Sequence, residues 1–192
     1  MYLSFVGAAP DATFTLARQH YATEQAIDAA VPHWTSLRSN LYADFVPYLT
    51  GKDGVIRGPA GSGKVGWATR DDIADVAVAV IMAGDEHDHQ IYTTTGARAL
   101  TLDETAAVLS EVIGRAITYH DETIDEAWES RRQFGAPDWE VEGWVTSYAA
   151  IANGEMNVVT DTVQRILGRP AAELDAFLRA NPDLWQNLVT AT

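Results

Sequence analysis

Two short strings carry side chains spaced for acid–base chemistry. His20 and Glu24 stand four apart within a helical pattern, so one helix face can hold both. A histidine so placed exchanges a proton near neutral pH, and the carboxylate can orient the ring or stabilise its charged form. An ordinary surface pair fits the same spacing. Tyr42 is a second candidate acid–base group, although its neighbour Phe45 equally favours a packing role. His20 and Tyr42 are therefore the candidate catalytic residues.

Two other strings invite chemistry that their context opposes. Gly58-Pro59-Ala60-Gly61-Ser62-Gly63-Lys64 satisfies the spacing G-x-x-x-x-G-K of a phosphate-binding loop. That loop needs a Ser or Thr next, to reach Mg²⁺, and then a helix start. Here Val65 cannot ligate a metal, and Gly66 with its β-favouring neighbours spoils a helix, so the string reads as a glycine-rich turn. Asp85-Glu86-His87-Asp88-His89 gathers metal-ligand types, and an extended backbone would aim His87 and His89 the same way. No third ligand stands at a recognisable spacing. A solvated loop is expected there, and no metal. The aromatics Trp128, Phe134, Trp139, Trp144 and Tyr148 read mostly as core, with some left to line an apolar pocket against the sheet edge.

The elements that must position these groups alternate in the first half. Strands are expected at Tyr2 to Val6, Trp34 to Ser39 and Ile91 to Thr94, with extended segments at Val55 to Arg57 and Val65 to Thr69. Helices are expected from Phe14 to Ala30 and from Ile73 to Met82, the second capped by Asp71 or Asp72. Asn40 to Leu49 fits a short helix or an ordered loop. Thr101 with Glu104, and Thr123 with Glu126, have capping-box spacing, and Gly114 is placed to end the first of those helices. Ala116 to His120 can extend. Helices follow at Glu140 to Ala152 and Thr160 to Leu167, and Pro170 suits the first turn of a last helix through Leu178. Strand–helix alternation implies α/β architecture: a partial Rossmann-like parallel sheet over 1–100 and a mostly helical substrate lobe over 101–192, interleaved with it. Two or three strands are few for such a sheet and would leave an apolar edge exposed.

Composition narrows the partners. The 192 residues include no cysteine, and 47% are hydrophobic, enough for a sizeable core. Thirteen Lys and Arg against 27 Asp and Glu give a net charge of −14, which repels nucleic acid and anionic membranes. No run approaches the length of a membrane span. Without cysteine or a leader-like start, the expected location is cytoplasmic.

Several strings, in order, resemble the later part of NmrA-like proteins, an atypical branch of the short-chain dehydrogenase/reductase superfamily that includes NAD(P)H:quinone reductases. They are Tyr2-Leu3-Ser4-Phe5-Val6-Gly7-Ala8, His20-Tyr21-Ala22-Thr23-Glu24, Leu37-Arg38-Ser39-Asn40-Leu41-Tyr42, Arg70-Asp71-Asp72-Ile73-Ala74, Tyr92-Thr93-Thr94-Thr95-Gly96 and Leu167-Gly168-Arg169-Pro170. The resemblance implies that Phe5, Gly7 and Ala8 border an NAD(P)H cofactor, while Arg38, Asn40 and Leu41 approach its nicotinamide side. It makes Phe45, Trp67, Phe134 and Trp139 substrate-pocket candidates. Two departures stand out. The glycine-rich dinucleotide fingerprint is absent from this sequence, so most of the cofactor site is expected in an N-terminal half that it lacks. Where typical members place Tyr-x-x-x-Lys, this chain has Tyr21 followed by Ala22, Thr23 and Glu24, and glutamate cannot supply the lysine's charge. The resemblance implies hydride transfer to a quinone or similar planar carbonyl acceptor, with the isolated chain inactive; a non-enzymatic redox-sensing or regulatory protein is the alternative. The exposed edge is expected to take a second copy or a complementing chain.

Overall fold

The computed structural model describes residues 1–190. Its elements in chain order are β1 (Tyr2–Phe5), α1 (Thr15–Ala30), β2 (Thr35–Ser39), a 3₁₀ segment (Ala43–Leu49), β3 (Val55–Gly58), β4 (Lys64–Val65), α2 (Arg70–Met82), β5 (Gln90–Thr94), β6 (Leu100–Thr101), α3 (Leu102–Ile113), β7 (Thr118–Asp121), α4 (Ile124–Arg132), α5 (Asp138–Ala152), α6 (Thr162–Leu167), α7 (Leu174–Ala180) and α8 (Gln186–Thr190). Short 3₁₀ turns also follow α2 and α7.

Three parallel strands in the order β1-β2-β5 form the main sheet, in a register that brings Ser4 beside Arg38 and Arg38 beside Thr93. Side chains alternate across β2. Leu37 packs with Ile73, Val76 and Val80 of α2 and Val163 of α6 on one face, while Arg38 reaches Glu24 of α1 on the other. Among the described residues no strand pairs with the outer edge of β1, where Leu3 is 46% exposed.

The rest of the chain is tied together across long sequence separations. β3 pairs in parallel with β7, and β4 pairs with β6 in antiparallel fashion. One large core cluster takes side chains from Val6 of the sheet through Tyr148 and Ile151 of α5 to Leu178 of α7. No helix among the described residues is long and apolar enough to cross a membrane.

Local capping chemistry appears where the sequence places it. Thr101 and Glu104 form a complete capping box, as do Thr123 and Glu126, and Gly114 closes α3 at φ +70°. Three local expectations are corrected. The cap of α2 is Thr69, whose hydroxyl accepts from the Asp72 N–H. Asp72 is unavailable as a cap because its buried carboxylate accepts from Arg169 Nη1 at 2.5 Å and from the Ala172 N–H at 2.9 Å. Those same bonds hold 169–172 as a loop, so Pro170 opens no helix; α7 begins at Leu174, and α8 follows it. Of the expected extended segment 65–69 only Val65 joins a strand, as the second residue of β4, with one further bridge between Ala68 and Tyr42.

Candidate functional site

At the carboxyl ends of β1 and β2 the chain turns through Val6–Gly7 and Ser39–Asn40, the end at which open α/β sheets take ligands. Asn40 is fully buried, donates its side-chain amide to Met156 O at 2.9 Å, and accepts from the Leu41 N–H at 2.8 Å. This anchorage delivers Leu41 and Tyr42 to the mouth of a narrow apolar slot of about 100 Å³. Its walls include Tyr42, Phe45, Trp67, Leu102, Tyr148 and Ile151. The Tyr42 and Phe45 rings stack at 5.8 Å with planes only 15° apart. Trp67 is buried and fixed by its indole N–H, which donates to Thr105 Oγ1 at 2.9 Å. Ser39 Oγ, which has one proton to donate, lies 3.3 Å from Ser4 O and 3.4 Å from the Tyr42 hydroxyl.

The glycine-rich string packs against α5, whose Tyr148 and Ile151 line the slot. It runs from β3 into β4, with no helix after Lys64. A Cβ on Gly58 would meet the Tyr148 ring at 2.1 Å, and one on Gly63 would meet Ile151 O at 2.0 Å. Both glycines therefore exist so that backbone can lie directly against α5. Gly61, at φ +53°, makes the turn between them. The Lys64 ammonium stands 3.8 Å from Glu104.

Behind Tyr148 is a buried ion pair. Arg131 Nη1 donates to Glu122 Oε2 at 2.7 Å, its Nη2 to Arg57 O at 3.0 Å, and its guanidinium lies 5.1 Å from the Tyr148 ring centroid. Burial pushes the Tyr148 phenol above its ordinary value, partly opposed by Arg131. Leu49, Ser147 and Tyr148 of the slot also line a neighbouring, wider groove of about 880 Å³ between the 48–57 segment and helices α4 and α5.

The other predicted residues are divided by the fold. His20 lies on α1 over the sheet: Tyr2 OH is 2.7 Å from its Nδ1, and the Phe5 ring stacks on it. Desolvation lowers its pKa below the ordinary 6.5, against the pull of Glu24. Arg38 is engaged by Glu24 through two bonds of 2.9 and 2.5 Å, and that contact holds the buried carboxyl below its usual range despite the opposing cost of burial. Neither His20 nor Arg38 lines the slot or the groove. Phe5, Gly7 and Ala8 sit at the end of β1, where Gly7 turns at φ +70° against Glu155. Tyr42, Leu41, Phe45 and Trp67 converge on the slot, and Phe134 lines the groove. Trp139 is 66% exposed and lines neither. The sequence reading missed Leu49, Leu102, Ser147 and Arg131, and left Tyr148 in an aromatic group read mostly as core. The available signal was Gly58, since a glycine at a strand end marks a close approach by something else.

Of the 85–89 string, the structure brings Asp85 and Asp88 together with His33, from the loop before β2, with ligand atoms within 4.8 Å of one another. His87 turns away to the Tyr92 hydroxyl at 2.9 Å, and His89 packs edge-on against Trp34.

No family model matches the chain. Relatives do. An NAD(P)H azoreductase of Xenophilus azovorans is 30% identical over 179 residues, covering 92% of this chain and 62% of the relative. An NmrA-like family domain-containing oxidoreductase of Aspergillus flavus is 24% identical over 173 residues, covering 87% and 56%. Among solved structures, an NADPH-dependent quinone oxidoreductase from Escherichia coli, complexed with NADPH, superposes with a TM-score of 0.82 at 27% identity, over 93% of this chain and 64% of that one. The chain spans 56–62% of the length of the curated relatives it matches. With its parallel sheet and Rossmann-like α/β fold, the chain is similar over most of its length to NAD(P)H azoreductase, quinone oxidoreductase and NmrA-like oxidoreductase relatives.

Proposed function

We propose that this chain forms the acceptor side of an NAD(P)H-dependent oxidoreductase that transfers hydride to a quinone or similar planar carbonyl compound. The observation that carries the reading is the slot: an apolar, aromatic-walled cleft opening beside the carboxyl ends of β1 and β2. The names of the relatives point to the same reaction class.

The residues present suit the nicotinamide end of the cofactor, at Phe5, Gly7, Ala8 and Leu41, better than its phosphates. Arg38 is already paired with Glu24. The Glu155 carboxylate accepts from the Thr13 N–H just ahead of α1, placing negative charge where a pyrophosphate would need a vacant helix start. Most of the grip on the dinucleotide therefore belongs to chain outside this sequence. When bound, the reduced nicotinamide supplies the hydride. Phe45, Trp67 and Tyr148 exclude water and hold a planar ring in one orientation. Tyr42 donates its phenol proton to the acceptor oxygen, with Ser39 beside the hydroxyl. His20 is kept neutral by burial and steadies the end of β1 rather than meeting the acceptor.

A fluorescence titration of the 192-residue chain with NADH and NADPH, followed by a quinone-dependent oxidation assay, tests this reading. Weak or absent dinucleotide binding by the isolated chain is expected, with turnover restored when the glycine-rich half of a relative is supplied. Tight dinucleotide binding without turnover in that reconstituted domain would favour a sensor instead.

A further inference from the structure

The slot alone is too small for a whole substrate, since pockets for small organic molecules run to roughly 300–1,000 Å³. The neighbouring groove, which shares Leu49, Ser147 and Tyr148 with it, has a different chemistry. In a chain carrying 27 acidic side chains and 13 Lys and Arg, the groove lining includes Lys52, Arg57 and Arg131 and no carboxylate. Arg131 is balanced by Glu122, and Arg57 by Asp53 at 2.6 Å. Lys52 makes no ion pair among the described residues, so its ammonium is the uncompensated charge of the lining. Aromatic surface faces the same space: Tyr48 and Phe134, 65% and 69% exposed, and Trp144, which meets the Phe134 ring edge-on at 6.2 Å. Exposed aromatics here can stack on a flat aromatic ligand, while the Lys52 ammonium attracts an anionic group carried on it.

We propose that the acceptor is a two-part molecule: a planar ring that enters the slot, and an aromatic arm bearing an anionic group that lies in the groove with Lys52 as counter-charge. This rests on the reductase reading for the ring and adds a determinant of specificity for the arm. Tyr48 and Phe134 flank the arm, and the outward-facing ammonium selects its charge.

The test uses a matched pair of fluorescent probes, 8-anilinonaphthalene-1-sulfonate and the neutral N-phenyl-1-naphthylamine, titrated into the full chain at low and at high salt. The sulfonate is expected to bind about three- to fivefold tighter at low salt, with the preference shrinking as salt rises. Lys52→Gln should bring the ratio to near one without changing neutral-probe binding, and Phe134→Ala should weaken both probes. Lys52 is exposed, so the variant should fold; Lys52→Arg should restore the preference. Equal binding of the two probes by the parent chain, or a preference unchanged in Lys52→Gln, would overturn the proposal. Because the readout is binding, failure of the reductase reading appears separately, as absence of quinone-dependent NAD(P)H oxidation in the reconstituted domain.

Discussion

The seam between α1 and the sheet and the wall between β3 and α5 are both built around an Arg–Glu pair, but they do different work. In the seam, Glu24 and Arg38 join Tyr2 and His20 in a polar layer, and α1 buries only Ala17 and Glu24. In the wall, Glu122 and Arg131 sit behind Tyr148 with no room to spare, and the facing backbone carries glycine because a methyl group would collide. The acid–base candidates His20 and Glu24 make their contacts in the seam with Tyr2 and Arg38. A string that resembles a phosphate loop serves in the wall as the surface on which a pocket is built.

Removing one partner should separate the two regions most sharply. Glu122→Ala leaves the Arg131 charge buried and unpaired, so a loss of about 3–5 kcal/mol is expected in urea denaturation. Glu24→Ala should cost less, because the Arg38 side chain is 22% exposed and can rehydrate; equal losses would show that the two pairs are equivalent. Next, Gly58→Ala should cost about 1–3 kcal/mol through overpacking against Tyr148 and should also abolish probe binding in the slot. Gly61→Ala meets no atom within 4 Å and should show only the strain of its positive φ, with the slot intact.

The pH dependence of stability carries a contribution from the seam, which two histidine variants can isolate. The pKa of His20 is lower in the folded chain than the ordinary 6.5, so the unfolded chain binds the extra proton first. Its contribution is present above 6.5 and is lost as pH falls toward the folded value. His33, raised by Asp88, has the opposite sign: its contribution is present below 6.5 and is lost as pH rises through the folded value. His20→Gln should therefore flatten the acid-side decline in melting temperature, and His33→Gln should steepen it; identical curves for the two variants would remove the seam from the account. The smallest stability effect is expected from Tyr42→Phe, within about 0.5 kcal/mol, while turnover in the reconstituted domain falls about 10²-fold or more. An unchanged rate would return the proton to water or to His20.

How much of this was legible depended on how local the physics is. Both capping boxes and the Gly114 stop could be read because each is completed within four residues. Tyr42, Phe45 and Trp67 were marked as site candidates, and the fold brings them to one slot. The failures lie where a partner arrives from far along the chain. Asp72 was a plausible cap until Arg169, 97 residues on, claimed its carboxylate. Spacing likewise does not reveal that Glu24 faces Arg38 across the seam. The strings that carried the family resemblance turn out largely to hold one another: Glu24 to Arg38, Asp72 to Arg169, and Ser39 beside Thr94 in the sheet.

The parallel pairing of β3 with β7 also has a consequence for the order of events during synthesis. Val55 must wait for Thr118, and the glycines at 58 and 63 must wait for Tyr148 and Ile151, so the pocket cannot close until most of the chain has left the ribosome. Until then, a glycine-rich, apolar stretch stands without its cover. The acidic character of the nascent chain keeps such intermediates apart during that interval.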